Sequence, residues 1–448
     1  MLKKSLGEAK VRIDNQTCQD HAGDKSYLPP VVPQCVVIPE TNADIKTVLE
    51  FANTYRIPVT VRGGGSGKSG GAIPEKGGIA LSMEKFNAIL ETDKLNRCIV
   101  VQPGVILDDV IQAATEQGLF YPIKTSSSHW CTIGGNIAAN AGAASAIKYG
   151  VTGDYVMGLE GFFGNGDFFQ VGGKCHKDVA GYDIKKLLVG SEGTLAIITK
   201  ITLKLIPKPA YQQSLWCSFP AFNLAIESLS ACLQSAIHFS AAEFLEKACV
   251  DAFEKVHGIE TQCNTGEAFV LLTIESDSEA GLNLKEAEVA NIITARKGTV
   301  QQGQEEMYWR IRRGTSEALE NAYAHKVSED ITVPPAEIPR FLAEAKRIQE
   351  SSVFKIVGYG HLGDGNIHTN ILNQCLSQAD WNDQHHAIVD QVMALCLSCG
   401  GTLSGEHGVG LSKKKYMTQA FTPEMLTLMK QLKACFDPQG ILNPSKIL

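Results

Sequence analysis

The segment Gly360-His361-Leu362-Gly363-Asp364-Gly365-Asn366-Ile367-His368 sets two imidazoles around an Asp-Gly dipeptide. Asp-Gly favours a tight turn. The turn would fold its flanks back so that His361 and His368 face one site. Two imidazoles suit Zn²⁺, Mn²⁺ or Fe²⁺, with a carboxylate completing the set. The candidate carboxylate is Glu406, in Ser404-Gly405-Glu406-His407-Gly408-Val409-Gly410. A histidine pair across a turn is also common as plain polar surface. The glycine-framed Glu406-His407 favours a crowded site instead.

A second kind of chemistry is written in glycine. Arg62-Gly63-Gly64-Gly65-Ser66-Gly67-Lys68-Ser69-Gly70-Gly71 follows an apolar stretch. Glycine admits positive φ and leaves no side chain between backbone and ligand. Successive N–H groups can then converge on an anion. The run is not a GxGxxG fingerprint, because no helical pattern follows it, and it lacks the spacing of a GxxxxGK[ST] loop. Alone it is as consistent with a flexible loop as with a phosphate cradle. Further small-residue runs accompany it: Cys131-Thr132-Ile133-Gly134-Gly135-Asn136-Ile137-Ala138-Ala139-Asn140-Ala141-Gly142, then Gly181-Tyr182-Asp183, then Val189-Gly190-Ser191-Glu192-Gly193-Thr194-Leu195-Ala196-Ile197-Ile198-Thr199. Small residues let backbone pack on a flat cofactor, and the amides and hydroxyls can meet its heteroatoms.

Local patterns supply the elements that must hold these groups. Ala43 to Tyr55 has helical periodicity, with Ile45, Val48, Leu49 and Ala52 on one face. Pro58 to Val61 reads as a strand entering the glycine loop, and Ile99 to Val101 as another strand. Leu107 to Gln117 reads as a helix stopped by Gly118. Thr194 to Leu205 reads as a buried strand pair, ended by Pro207-Lys208-Pro209, which is the first domain boundary. The stretch from Gln212 to Lys355 is poorer in glycine and reads as longer helices and strands. The alternation fits an α+β or α/β organisation.

The 448 residues imply two or three domains. Lys and Arg number 41 against 48 Asp and Glu, a net charge of -7 without a long basic run, which argues against nucleic acid as a partner. An anionic substrate therefore needs a local cation, because the global field does not attract it. The start, Met1-Leu2-Lys3-Lys4-Ser5, has no apolar run behind it and reads as no signal peptide. No apolar stretch reaches the roughly 20 residues of a membrane span. A cytoplasmic protein is expected, able to dock at a membrane through a partner. The 13 cysteines are scattered, and the one CxxC, Cys396 to Cys399, reads as core thiols on a helix.

Taken together, RGGGSGKSGG, TIGGNIAANAG and GYDIKKLLVGSEGTLAIIT resemble the FAD-binding half of the vanillyl-alcohol-oxidase (PCMH-type) flavoproteins. With GHLGDGNIH and SGEHGVG the chain resembles, over nearly its whole length, the glycolate oxidase large subunit, D-lactate dehydrogenase and D-2-hydroxyglutarate dehydrogenase branch. The resemblance implies that Arg62, Gly63, Gly64, Gly65, Ser66, Gly67, Gly70 and Gly71 hold the pyrophosphate. Gly134, Gly135 and Asn140 would line the cofactor, and Glu192, Gly193 and Ile198 pack around it. Ser66 stands where some relatives carry a flavin-linking histidine, so the FAD is expected to be non-covalent. One departure is Ile123-Lys124-Thr125, after Pro122, where relatives often carry a PxxP-like segment.

The resemblance also implies His361, His368 and Glu406 as ligands of a divalent metal, with His407 as catalytic base. Asn370 matches a substrate-binding asparagine. Trp309 and Arg312 match a WxxR whose arginine would clamp the substrate carboxylate, and Ser316 follows it as a helper. Arg310 and Arg313 are equally well read as a solvated basic face. Lys326 resembles a substrate-contacting lysine, although its spacing from Asp330 differs by two residues from those relatives. Asn443 and Lys446, in the tail, would touch the flavin.

The expected fold is α+β. A two-subdomain PCMH-type FAD-binding domain spans 1–209, an α/β substrate (cap) domain spans 210–404, and a segment at 405–448 returns to the flavin. The expected activity is FAD-dependent oxidation of a small D-2-hydroxy acid, with electrons passing to a quinone, a cytochrome, an electron-transfer flavoprotein or an Fe–S subunit. Two rivals are a flavin-free metallohydrolase and a flavin subunit that only relays electrons.

Overall fold

A computed structural model of the chain describes residues 2–448. Two compact units result. The first takes residues up to Gly142, then Val151–Lys208 and Glu406–Leu448; the second takes Ala143–Gly150 and Pro209–Gly405.

The first unit has two main sheets. One has four strands in the order Val11–Arg12, Cys35–Val37, Ile79–Ser82, Val59–Arg62, the last three mutually parallel. Parallel strands need a crossover, and the helix Asn42–Tyr55 carries the chain from Cys35–Val37 to Val59–Arg62, leaving the place between them for Ile79–Ser82. A capping box starts that helix: Thr41 Oγ1 accepts the Asp44 N–H, and Asp44 accepts the Thr41 N–H. Its face of Ile45, Val48, Leu49 and Ala52 is fully buried, as the periodicity requires, against Val37, Val59, Ile79 and Leu81. The chain's end joins the same core. Val59 N–H donates to the Ile441 carbonyl and Asn443 N–H to the Val59 carbonyl, so the tail lies alongside the strand that opens the glycine loop.

The second sheet of this unit is antiparallel, in the order Ile89–Asp93, Cys98–Val101, Ala196–Lys204, Val156–Phe163, Phe168–Gly172. The sequence suggested a strand pair within 194–205; the structure has one strand there, Ala196–Lys204. No turn residue interrupts it. A bulge between Ile198 and Lys200 absorbs the irregularity while pairing with Val156–Phe163 continues.

The second unit is built on one seven-stranded antiparallel sheet. Its order is Thr299–Gln301, Tyr211–Phe219, Ala268–Ser276, Phe239–Glu246, Lys355–Gly360, Asn366–Leu372, Lys326–Thr332. One face packs on the helices Lys247–His257 and Glu305–Ala322 around Trp216, Leu245, Phe253, Tyr308, Ile311, Val357 and Leu372. Each large apolar side chain so enclosed contributes about 1.5–3 kcal/mol. The segment Ala143–Gly150 falls within 1–209, yet it belongs to this unit. Glu275 draws it in: the carboxylate accepts from Lys148 Nζ at 2.5 Å and from the Tyr149 hydroxyl at 2.6 Å. Cys396 and Cys399 are buried at the end of the helix Gln378–Ser398, as core thiols should be. Among the described residues, no helix is long and apolar enough to cross a membrane.

Candidate functional site

In the first unit the glycine loop leaves the strand Val59–Arg62 and never becomes helical. Gly65 and Gly70 have φ of +71° and +82°, backbone that side chains disfavour. Gly63 and Gly64 have a different reason. A Cβ on Gly63 would run into Thr132 Oγ1, and one on Gly64 into the Trp130 carbonyl oxygen. The loop thus lies directly against the start of the TIGG motif. That motif is a short helix, Ile133–Ala139, which the sequence reading did not foresee; Thr132 caps it through the Gly135 N–H. Gly134 packs on Pro103, and Asn140 ends the helix at φ 51° with its side-chain oxygen accepting the Gly153 N–H. The Arg62 guanidinium folds back to the Gly23 carbonyl at 2.6 Å.

The GSEG turn and the tail close on this loop. Asn443 Nδ2 donates to the Gly71 and Glu192 carbonyls at 3.0 and 2.7 Å. Lys446 Nζ donates to the Ile73 carbonyl at 2.6 Å, and its burial lowers the ammonium pKa to about 8. The Glu192 carboxylate accepts the N–H groups of Val409 and Gly410, each at 2.7 Å. Burial pushes Glu192 up to about 7, although those two donors, Lys413 and Lys446 favour its anion. Ser69 Oγ donates to the His407 carbonyl at 2.9 Å, and His407 Nε2 is 3.7 Å from Glu406 Oε1. Ile198 is half-buried opposite Gly161. Loop, GSEG turn and tail therefore form one cradle. Among the polar atoms buried in this unit without a hydrogen-bond partner are Asn443 Oδ1 and Asn136 Nδ2. A cofactor rich in carbonyl, ring-nitrogen and phosphate groups fits a cradle of backbone N–H groups with such atoms in it.

In the second unit the Asp364-Gly365 turn forms as expected. Gly365 has φ +87°, and Asp364 and Asn366 N–H groups donate to the His361 carbonyl. His368 lies on the following strand opposite Tyr359 and Asp330. The two imidazoles converge, with ring centroids 5.4 Å apart and planes at 79°. Nitrogen donors so disposed suit a divalent transition metal. Asn370, two residues along, shares the His368 face. Its Nδ2 donates to the Val357 and His368 carbonyls, while its Oδ1 is buried without a protein partner.

The helix Glu305–Ala322 decides among the arginines. Arg310 and Arg313 are exposed, whereas Arg312 is 8% exposed on the face that packs on the sheet. Arg312 Nε donates to Glu243 Oε2, and the guanidinium lies 5.0 Å from the Tyr359 ring centroid. Glu243 Oε1 is 2.7 Å from His361 Nδ1. Burial opposes ionisation of Glu243, but Arg312 and His361 outweigh it and hold the carboxyl below its ordinary range. Ser316, one turn after Arg312, accepts from Lys326 Nζ at its carbonyl and hydroxyl, at 2.6 and 3.0 Å. Lys326 shares the sheet face of Asp330 but sits four residues away, roughly 13 Å along the strand.

Two residues to which the sequence reading gave no role organise this region. Glu243 is one. The other is Asp330, fully buried, which accepts from Asn366 Nδ2 at 2.6 Å, Ser404 Oγ at 2.9 Å and the Gly405 N–H at 3.1 Å. It therefore fixes the chain one residue before Glu406. For Glu243 the available signal was a lone acid inside an apolar strand pattern, Ala241-Ala242-Glu243-Phe244-Leu245, whereas Asp330 stands beside Glu329 in a polar strand and carries no such signal.

Comparison with known proteins finds two family models that match the chain. The family described as FAD linked oxidases, C-terminal domain, matches residues 208–447, and the FAD binding domain family matches residues 33–172. The glycolate oxidase subunit GlcD of Bacillus subtilis (strain 168) is 36% identical over 425 residues, covering 93% of this chain and 89% of that protein. A D-lactate dehydrogenase of Archaeoglobus fulgidus is 37% identical, covering 92% and 91%. A D-2-hydroxyglutarate dehydrogenase of Xanthomonas citri pv. viticola is 32% identical, covering 93% and 89%. Among solved structures, p-cresol methylhydroxylase superposes with a TM-score of 0.83 at 16% identity, covering 99% of this chain and 94% of that one, which speaks for the fold alone. The chain belongs to the FAD-linked oxidases, a family of FAD-binding oxidoreductases, in the branch that holds these glycolate oxidase, D-lactate dehydrogenase and D-2-hydroxyglutarate dehydrogenase relatives.

Proposed function

We propose that this chain oxidises a small D-2-hydroxy acid to the 2-oxo acid and passes the electrons to a separate acceptor, a quinone, cytochrome, electron-transfer flavoprotein or Fe–S subunit. The observation that carries the reading is the buried Arg312, which its helix packs over Tyr359 on the sheet face of His368 and Asn370 and beside His361. A guanidinium binds a carboxylate strongly and with defined orientation, which is what a 2-hydroxy acid presents next to its reacting carbon. His361, His368 and Glu406 are the proposed ligands of a Zn, Mn or Fe ion. Such an ion, when bound, polarises the substrate hydroxyl and lowers its pKa. FAD, held non-covalently by the cradle, supplies the acceptor for the hydride from C2.

The remaining work falls to the chain. Arg312 grips the carboxylate and Asn370 offers its buried amide oxygen to the substrate. His407 takes the hydroxyl proton as the C2–H bond breaks, with Ser69 steadying the His407 backbone. Lys326 and Ser316 are the proposed outer contacts, reaching groups beyond C2. The test is an anaerobic visible spectrum of the purified protein before and after D-lactate, glycolate and D-2-hydroxyglutarate in turn. Bleaching by one of them supports the reading and names the substrate. A flavin unchanged by all three rejects the substrate class and favours an electron-relay subunit.

A further inference from the structure

We propose that Glu243 is the positioning residue of this site, fixing with one carboxylate both the arginine that grips substrate and the tautomer of His361. The proposal rests on the roles given above to Arg312, His361 and His368. Glu243 sits within the strand Phe239–Glu246, is fully buried, and pairs across the sheet with Leu271. A charge in such surroundings is costly unless paired and hydrogen-bonded. Each of its oxygens has its own partner: Oε1 meets His361 Nδ1 at 2.7 Å, and Oε2 accepts from Arg312 Nε.

An ionised carboxylate only accepts hydrogen bonds, so Nδ1 of His361 must carry the proton. In the neutral ring the lone pair is then on Nε2, the form a metal ligand needs. Arg312 Nη2 lies 3.4 Å from the same Nδ1. With both nitrogens carrying protons, that approach is not a hydrogen bond, and the carboxylate between them is what makes the pair tolerable. Glutamine has nearly the same shape but cannot replace this. Its amide oxygen can satisfy either Nδ1–H or Nε–H, and its NH₂ then faces the other donor. The imidazole can relieve the conflict by moving its proton to Nε2, which removes the lone pair from the metal side.

The full-length flavoprotein and Glu243→Gln are compared in three measurements. They are the visible flavin spectrum, Zn²⁺ and Mn²⁺ affinity by chelator competition, and KM and kcat for D-lactate, glycolate and D-2-hydroxyglutarate. The expected variant keeps the flavin spectrum, binds metal roughly 10–100-fold more weakly, and has a raised KM that excess metal does not restore. Glu243→Asp, still accepting through both oxygens, should recover part of the metal affinity. Wild-type metal affinity and KM in Glu243→Gln would overturn the proposal. Should that variant not fold, ¹⁵N-histidine NMR of the wild-type protein decides. With the His361 signal assigned by its loss in His361→Asn, a metal-free Nδ1–H tautomer supports the proposal and an Nε2–H tautomer overturns it. The underlying metal reading fails separately, if wild type binds Zn²⁺ and Mn²⁺ no better than a His361→Asn/His368→Asn variant.

Discussion

Replacing Glu246 with glutamine should stabilise the second unit at pH 8 and change little near pH 4. Glu246 ends the strand Phe239–Glu246, and its Oε1 accepts the Gly358 N–H at 2.8 Å. Burial pushes its carboxyl from 4.5 up to about 7, against that hydrogen bond and the nearby Lys346 and Lys355. Below pH 4.5 the carboxyl is neutral in both folded and unfolded chains, so nothing is lost. Between about 4.5 and 7 the unfolded chain ionises first, and wild-type stability falls by about 1.4 kcal/mol per pH unit. Above pH 7 the whole penalty is present, about 3.5 kcal/mol as a ceiling, because the residue keeps some contact with solvent. Glutamine retains an acceptor for Gly358 and never ionises. Urea denaturation followed by tryptophan fluorescence checks this, since Trp216, Trp309 and Trp381 all lie in the second unit. The stability difference between variant and wild type should grow from pH 4.5 to 7 and then level off. A difference that does not change with pH would refute the reasoning.

Other perturbations test the frame of the site. Gly64→Ala should give protein poor in FAD, read as flavin absorbance per mole of protein, because the new methyl meets the Trp130 carbonyl at the base of the cradle. Trp216→Ala should cost about 3–5 kcal/mol in denaturant unfolding; it empties a fully buried position and breaks the indole bond to the Cys263 carbonyl at 3.0 Å. Arg56→Gly should stabilise by about 0.5–1 kcal/mol without altering the flavin spectrum, since Arg56 ends the helix Asn42–Tyr55 at φ 52°, where a side chain costs about 1–2 kcal/mol and glycine's added chain entropy takes back part of the gain.

Several parts of this architecture were readable before any fold was known. The helix Asn42–Tyr55 announced itself by periodicity and buried the four residues named from it. The Asp364-Gly365 turn followed from dipeptide chemistry, and the histidines do converge across it. The glycine loop was legible because its glycines answer a local demand, positive φ at Gly65 and Gly70. The strand Ala196–Lys204 was misread as a pair, because whether an apolar run turns back depends on neighbours that its own residues do not name.

By itself the sequence determined the chemistry available: which loop can approach a phosphate, which imidazoles share a turn, and which arginine belongs to a recognisable motif. These depend on spacing within a few residues, where backbone geometry is nearly fixed. What only the tertiary structure decided is which charges are held inside and by what. Glu243 meets Arg312 69 residues away and His361 118 residues away. Asp330 fixes Gly405 75 residues on, and Glu192 receives the N–H groups of Val409 and Gly410 more than 200 residues later. A buried carboxylate must find donors or stay neutral, and nothing local says where those donors lie. Strand register in the seven-stranded sheet and the closing of the tail on the glycine loop settle it.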